Sequence, residues 1–432
     1  NTNTITSYKT HNNIEVILND VNTNSAEVRL NLDEKKWTPK QAATASVLSD
    51  MFEYAGIKNK SGNEISKLFD TLGVSSSLNA GNYGIFLNLN VPVENLKQAL
   101  EISNERILNS VFTQELFEKS VERLRNRLST AEPSAYDKFE AEMFKGLPMQ
   151  FNAKDKLESL DKITLNDVLA FHKEILQKAQ GSITVSAPFS KHPELKQEIF
   201  NSLNVYPKVQ PKDISLNKTY TPVNETKVFT QANKKNQAEI IEGFKFKHSG
   251  NLKDKVTLDI LNMILGGNAS SRLFSDLRET RHLAYSVGSE IDYLDDMGIM
   301  ELYIQTTTEN LETGEKSFDN IQKAIEGFND NIAKLKTQKV TPQELDAAKK
   351  TLKSNLLTML ESTDVKTRII DSGSKSFYGV DMANKILETI DTITADDIFN
   401  AANYIFKGKP VYSMTATQDT LDANKEYLAS LS

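Results

Sequence analysis

The amino-acid sequence predicts an α+β fold made of two homologous α/β-layered domains, one unit written twice. Three observations predict it. Residues 157–168, LESLDKITLNDV, return 230 positions later as residues 387–398, LETIDTITADDI, and each copy runs into an apolar helix and a short strand. Thr113-Gln114-Glu115-Leu116 opens a long charged helix, and Thr341-Pro342-Gln343-Glu344-Leu345 opens another at nearly the same offset. Between the copies, residues 207–224 hold three of the eleven Pro and little helical periodicity, which reads as a linker. The predicted organisation is a first domain over 1–206, a linker over 207–224 and a second domain over 225–432.

In the first half, Ala26, Val28, Leu30 and Leu32 alternate with Glu27, Arg29, Asn31 and Asp33, the period of a half-buried strand. Thr38-Pro39 starts a helix whose Val47, Leu48, Met51, Phe52 and Ala55 fall on one stripe, closed by Gly56. Ile85, Leu87, Leu89 and Val91 make a second strand, and Thr113 is the N-cap type for the charged helix. In the second half, Ile240, Phe244 and Phe246 share one face of a strand. A helix from about Asp254 turns Leu258, Leu261, Ile264 and Leu265 inward and stops at Gly266-Gly267. Met300, Leu302 and Ile304 repeat the strand pattern, and Thr341 precedes a Pro at the first helical position. Each half runs strands, helix, strands and then several helices, which favours α+β over an alternating parallel sheet.

Composition narrows the function. The 432 residues are 39% apolar and 25% charged, an ordinary globular balance. Lys and Arg number 51 against 58 Asp and Glu, for a net charge of −7. That argues against nucleic acid or an anionic membrane surface as the partner. The longest apolar run, 78–93, is broken by four Asn and a Pro, so no membrane span is expected. A start at Asn1 without Met fits a mature, processed or excised chain. With the absence of Cys it also fits an exported protein of a bacterial periplasm or envelope, and a cytoplasmic one is compatible.

The absence of Cys removes disulfides, thiolate zinc sites, iron–sulfur clusters and Cys nucleophiles. Only His11, His172, His192, His248 and His282 remain, and no two lie within ten residues. A pair of His one helical turn apart, the usual zinc arrangement on a helix, cannot be built. His172 reads as a surface or helix-end residue, and His192 as a loop residue before Pro193. Nucleotide-binding Gly-rich loops and the Gly-x-Ser-x-Gly elbow are missing. The Leu265-to-Arg272 stretch, LGGNASSR, follows a helix, so it reads as a helix end and turn. The charged helices over 113–128 and 342–356 read as solvated faces.

One stretch is more specific. Ile264-Leu265-Gly266-Gly267 is followed by Ser270-Ser271-Arg272-Leu273-Phe274, Leu277-Arg278 and Leu283-Ala284-Tyr285-Ser286-Val287. This order resembles the C-terminal-type domains of the pitrilysin/insulinase zinc metallopeptidases, which include mitochondrial processing peptidase and bacterial relatives. The resemblance extends along the chain through Val340–Leu345, Leu360-Glu361-Ser362 and Ile393-Thr394-x-x-Asp397.

The resemblance implies where the family's chemistry belongs. Its His-x-x-Glu-His motif falls on Ser46-Val47-Leu48-Ser49-Asp50, and its third ligand, about 75 residues on, falls near Asn126. Ser46, Ser49, Asp50 and Asn126 cannot supply two His and a carboxylate, so no metal or other cofactor is expected on this chain. The resemblance also implies a complementary pair, an Arg and a Tyr seven residues apart, which match Arg278 and Tyr285. A phenol O–H is a donor for the oxyanion formed as a peptide carbonyl is attacked. A guanidinium fork holds a substrate carbonyl or carboxylate in register. Without the family context, such an Arg ordinarily sits in a salt bridge and such a Tyr ordinarily packs.

The resemblance therefore implies the non-catalytic half of a two-part peptidase, inactive alone. Zinc is expected in a partner subunit, or in the other part of a longer polypeptide, forming a heterodimer around a peptide substrate. The alternatives are a scaffold subunit of the core-protein kind, and a module that holds extended peptide on a sheet edge without hydrolysis.

Overall fold

A computed structural model describes residues 4–34, 41–81, 83–214 and 218–432. The chain opens with strands β1 (Ile5–Lys9), β2 (Glu15–Asp20) and β3 (Ser25–Asp33). Helices α1 (Ala42–Tyr54) and α2 (Gly62–Leu72) precede the hairpin of β4 (Ser75–Gly81) and β5 (Gly84–Pro92). Helices α3 (Leu96–Asn109), α4 (Gln114–Ser129), α5 (Ala135–Met143), α6 (Ala153–Leu160) and α7 (Leu165–Lys178) lead to β6 (Gln180–Ala187) and α8 (Glu194–Leu203). The plan then repeats with β7 (Lys227–Ala232), β8 (Gln237–Lys247) and α9 (Leu252–Leu265). A π-turn (Phe274–Thr280) stands where α2 stood, before the hairpin of β9 (Ala284–Leu294) and β10 (Met297–Thr307). Helices α10 (Asn320–Thr337), α11 (Pro342–Met359), α12 (Thr363–Ser374), α13 (Met382–Ile390) and α14 (Ala395–Ile405) lead to β11 (Val411–Ala416), α15 (Gln418–Ala423) and α16 (Lys425–Ser430).

The two sheets have the same wiring. One runs β1-β2-β6-β3-β5-β4 and the other β7-β11-β8-β10-β9, so the second reproduces the first without β1. In each, one pair is parallel, Glu15 opposite Ser182 and Lys227 opposite Val411, and the remaining pairs are antiparallel. The repeated sequence does the same work twice. Thr164 and Asp167 form a capping box at the start of α7, and Thr394 and Asp397 form one at the start of α14. The mixed architecture of two like units is the one predicted.

The compact units cross the boundaries read from sequence. Unit 1 holds 1–131, 146–215 and 359–384; unit 2 holds 132–145, 216–358 and 385–432. The helices at equivalent places in the repeat, α5 and α12, are thus exchanged. In unit 1, α12 lies on β3 and β6, where buried Asp371 accepts from Asn31 Nδ2 at 3.0 Å and from Thr184 Oγ1 at 2.9 Å. The polar side of β3, which alternation assigned to solvent, is covered there, and hydrogen bonds offset the desolvation of its Asn. In unit 2, α5 lies on β8 and β11, and Gly243 leaves room for Phe139, whose ring a Cβ would approach to 2.2 Å.

The stretch read as a linker is partly held in place. Val209 is buried and its N–H donates to the Asn12 carbonyl at 3.0 Å, while Thr219 and Tyr220 donate to Asp296. Backbone groups that find strand-edge and carboxylate acceptors are anchored despite a Pro-rich sequence.

Each core lies between the sheet and the main helices. In unit 1, Val47, Leu48, Met51 and Phe52 of α1 are buried together with Leu87, Leu89, Phe171 and Ile175. In unit 2, Leu258, Leu261, Ile264 and Leu265 of α9 are buried with Met300, Leu302, Phe328 and Ile398. The expected start of α1 at Thr38-Pro39 lies outside the described residues. Its end is not a Gly cap: the helix stops at Tyr54 with Ala55 extended, and Gly56 bridges to Val111. His172 also departs from expectation. It is buried among Phe52 and Phe112, its Nε2 lies 2.7 Å from the Ile107 carbonyl, and burial lowers its pKa.

Candidate functional site

Two places carry the residues singled out from sequence, one in each unit. In unit 1, Ser46, Ser49 and Asp50 lie on α1. Ser46 Oγ donates to the Ala42 carbonyl at 3.1 Å, a bond inside its own helix. Ser49 Oγ accepts from Ala80 N on the edge strand β4 at 3.2 Å. Asp50 is gripped by Arg123 of α4: Nη2 donates to Oδ1 at 2.6 Å and Nε at 3.1 Å. The same guanidinium stacks on the Tyr54 ring at 3.9 Å, and the Asp50 bonds raise its pKa.

This arrangement does not fit zinc. The only carboxylate at the motif positions is already neutralised by a bidentate cation, and the two hydroxyls serve backbone and strand. Asn126 is exposed on α4, one turn beyond Arg123, and faces none of the three in any hydrogen bond among the described residues. The charged helix over 113–128 is therefore not wholly a solvated face, because Arg123 turns toward α1. Nothing in the sequence pairs position 50 with 123; only the packing of α1 on α4 does so.

In unit 2, the residues from Gly266 to Val287 form one worked corner. Helix α9 ends at Leu265, and the Gly266 carbonyl accepts from Ser289 N at 3.0 Å, drawing the turn onto β9. A Cβ at Gly266 would come within 2.5 Å of that N, so the Gly-Gly pair serves close backbone approach. Arg272 forms a bidentate pair with Glu344 at 2.9 and 2.6 Å, tying the motif to the first turn of α11. Arg281 donates to Asp276 at 2.8 Å and to Asp330 at 3.0 Å, and Asn331 donates to Asp276 at 2.9 Å. Leu277 is fully buried, in the space that Gly327 of α10 leaves open. The turn is thus riveted on its inner side.

Arg278 lies on the outer side of that π-turn, a helix form often found at functional sites. It is exposed and rests on the Phe274 ring at 4.8 Å, and among the described residues no carboxylate pairs with it. Leu283 N donates to the Leu277 carbonyl at 2.9 Å, and His282 takes a left-handed φ of 54° to close the loop. Tyr285 follows on β9, the edge strand of its sheet. Gln305 of β10 pairs with Ser286 but Thr306 pairs with Ala284, so Tyr285 is the extra residue of a β-bulge. Ala284 turns to the core and the Tyr285 side chain stands 69% exposed, with no hydrogen-bond partner among the described residues. Two of three Arg in the corner are paired and one is not. The bulge and the free Arg were invisible in the sequence, which marked only the residue types and their spacing.

The chain is similar to known proteins over most of its length. The family model for the peptidase M16 inactive domain matches residues 162–352, which include the whole corner. That match covers less than half of the chain, and relatives and structural neighbours of the chain carry M16 or zinc-protease names. An uncharacterized zinc protease of Rickettsia felis is 27% identical to it, over 82% of each chain. The non-peptidase homolog YmxG of Helicobacter pylori is 26% identical over 67% of each. Among solved structures, the peptidase M16 inactive domain from Pseudomonas fluorescens superposes with a TM-score of 0.78 at 18% identity, covering 96% of this chain and 98% of that one. The periplasmic protease PqqL from Escherichia coli superposes with a TM-score of 0.75 at 15% identity, and this chain spans 46% of it. The matched domain is described as the inactive one, and the α1 residues, with Asp50 paired to Arg123, offer no zinc ligand set. Among the described residues, no helix is long and apolar enough to cross a membrane.

Proposed function

We propose that this chain is the non-catalytic half of a two-part metallopeptidase, and that Arg278 and Tyr285 are its contribution to peptide hydrolysis. One observation carries the reading: in a corner where Arg272 and Arg281 are tied down, Arg278 and Tyr285, the pair that the family resemblance singles out, stand exposed without hydrogen-bond or ion-pair partners among the described residues. A buried framework that holds two polar groups unpaired is what positioning of a ligand requires. The Tyr285 phenol donates to a peptide carbonyl oxygen as it gains negative charge, and the Arg278 fork holds a neighbouring carbonyl or carboxylate. Edge strand β9 offers unpaired backbone groups for an extended peptide. The nucleophile and the zinc come from a partner with an intact His-x-x-Glu-His motif, a separate subunit or the rest of a longer polypeptide. The proposed location is a bacterial periplasm or envelope, with the cytoplasm as the alternative.

The test is a pull-down from the native source, metal analysis of what co-purifies, and a peptidase assay of the parts and of the mixture. The expected result is zinc in the partner and hydrolysis only by the mixture. Chelator-sensitive hydrolysis by this chain alone would overturn the proposal. A zinc-free assembly without activity would support the scaffold alternative instead.

A further inference from the structure

Beyond the π-turn corner, the sheet of unit 2 carries a second cluster with no part in the reading above. Glu290 and Asp292 of β9 and Glu301 of β10 each place a carboxylate oxygen within 4.8 Å of the others. Glu290 and Glu301 stand directly opposite each other on paired strands, where like charges are destabilising. Among the described residues, no Lys or Arg forms an ion pair with any of the three. Glu301 is 6% exposed, and its Oε2 is buried with no hydrogen-bond partner. A buried carboxylate oxygen without a partner, beside two other carboxylates, is a place where a cation or a proton is stabilised.

We propose that Glu290, Asp292 and Glu301 bind a hard divalent cation of the calcium class. Calcium–oxygen distances of about 2.3–2.6 Å let two ligand oxygens on one ion stand up to about 5 Å apart, which the cluster satisfies. An all-oxygen donor set selects calcium, magnesium or manganese over zinc, so this site is distinct from any catalytic zinc. The neighbouring strand offers Gly243 opposite Glu301, which adds no charge and no side chain. Tyr136 and Glu140 of α5 and Tyr303 of β10 complete the surroundings. The expectation of no bound metal rested on the zinc-motif positions on α1 and did not weigh these three acids, which are spread over two strands of a hairpin. Their convergence depends on its register.

Without a cation, burial and the neighbouring Glu290, Asp292 and Glu140 push Glu301 up to about 8. The experiment uses the full chain, stripped with chelator and titrated with terbium, whose emission nearby Tyr136 and Tyr303 sensitise; calcium then displaces it. Saturable emission at pH 8 is expected, with affinity weakened at least tenfold in Glu301→Gln. Asp292→Asn is the second variant, and circular dichroism verifies that each is folded. No saturable emission from the wild type, or wild-type affinity in both folded variants, would overturn the proposal.

Discussion

Units 1 and 2 treat an arginine beside their first long helix in opposite ways. Beside α1, Arg123 closes on Asp50, so cation and carboxylate satisfy each other, and a position that the resemblance would give to a metal ligand is spent on an internal ion pair. Beyond α9, Arg272 and Arg281 do the same structural job, yet Arg278 is left over and the adjoining bulge turns Tyr285 outward. The difference separates structural charge from available charge. A polar group matched by its neighbours holds the fold, and one kept unmatched by a rigid frame is free for a ligand.

The largest test of that contrast is Tyr285→Phe in the assembled enzyme. It should lower kcat on the order of 10²–10³-fold, with KM and assembly unchanged. An unchanged rate would remove the assigned role. Arg278→Ala should cost about tenfold or more, mainly in KM, and Arg278→Lys should recover only part because a lone ammonium lacks the fork. Arg272→Ala should instead act through thermal stability, so equal behaviour of the two variants would break the distinction.

Smaller effects probe the frames. Gly327→Val drives a side chain into Leu277, and about 1–3 kcal/mol of stability should be lost in denaturant unfolding. Arg123→Ala leaves Asp50, whose side chain is only 9% exposed, unpaired at a cost of about 1–2 kcal/mol, limited by solvent on the Arg side, and should gain no zinc. Both are read from the same unfolding curves. A pH-dependent effect concerns a buried carboxylate with no ion-pair partner among the described residues. Glu242 of β8 is fully buried beside Tyr412, and burial pushes its pKa to about 8. The folded chain therefore holds a proton that the unfolded chain releases near the ordinary carboxylate value. That stability is full below about pH 4 and lost as pH rises through 8. Glu242→Gln should reduce the fall in Tm between pH 5 and 8 by a few degrees, as differential scanning calorimetry would show.

The duplicated plan was legible because it rests on local signals: alternation in β3 and β5, the apolar stripe of α1, and the repeated Thr-x-x-Asp boxes before α7 and α14. The exchange of α5 and α12 was not, since no local pattern records which sheet a helix covers. At the site, spacing and residue type led to Arg278 and Tyr285, but their exposure rests on a one-residue register shift against β10. Arg123 escaped notice because a bidentate partner 73 residues away leaves no periodic trace. His172 misled for a similar reason: an imidazole beside Phe171 looks polar in sequence, and only the packing of α7 on α1 shows that it is buried.

The most direct measurement is turnover of a fluorogenic peptide by three samples: this chain, its zinc-carrying partner, and the two combined. The account predicts turnover in the combined sample alone, lost to chelation and lowered on the order of 10²–10³-fold when Tyr285→Phe replaces the wild type. Chelator-sensitive turnover by this chain alone, or an undiminished rate with Tyr285→Phe, would contradict it.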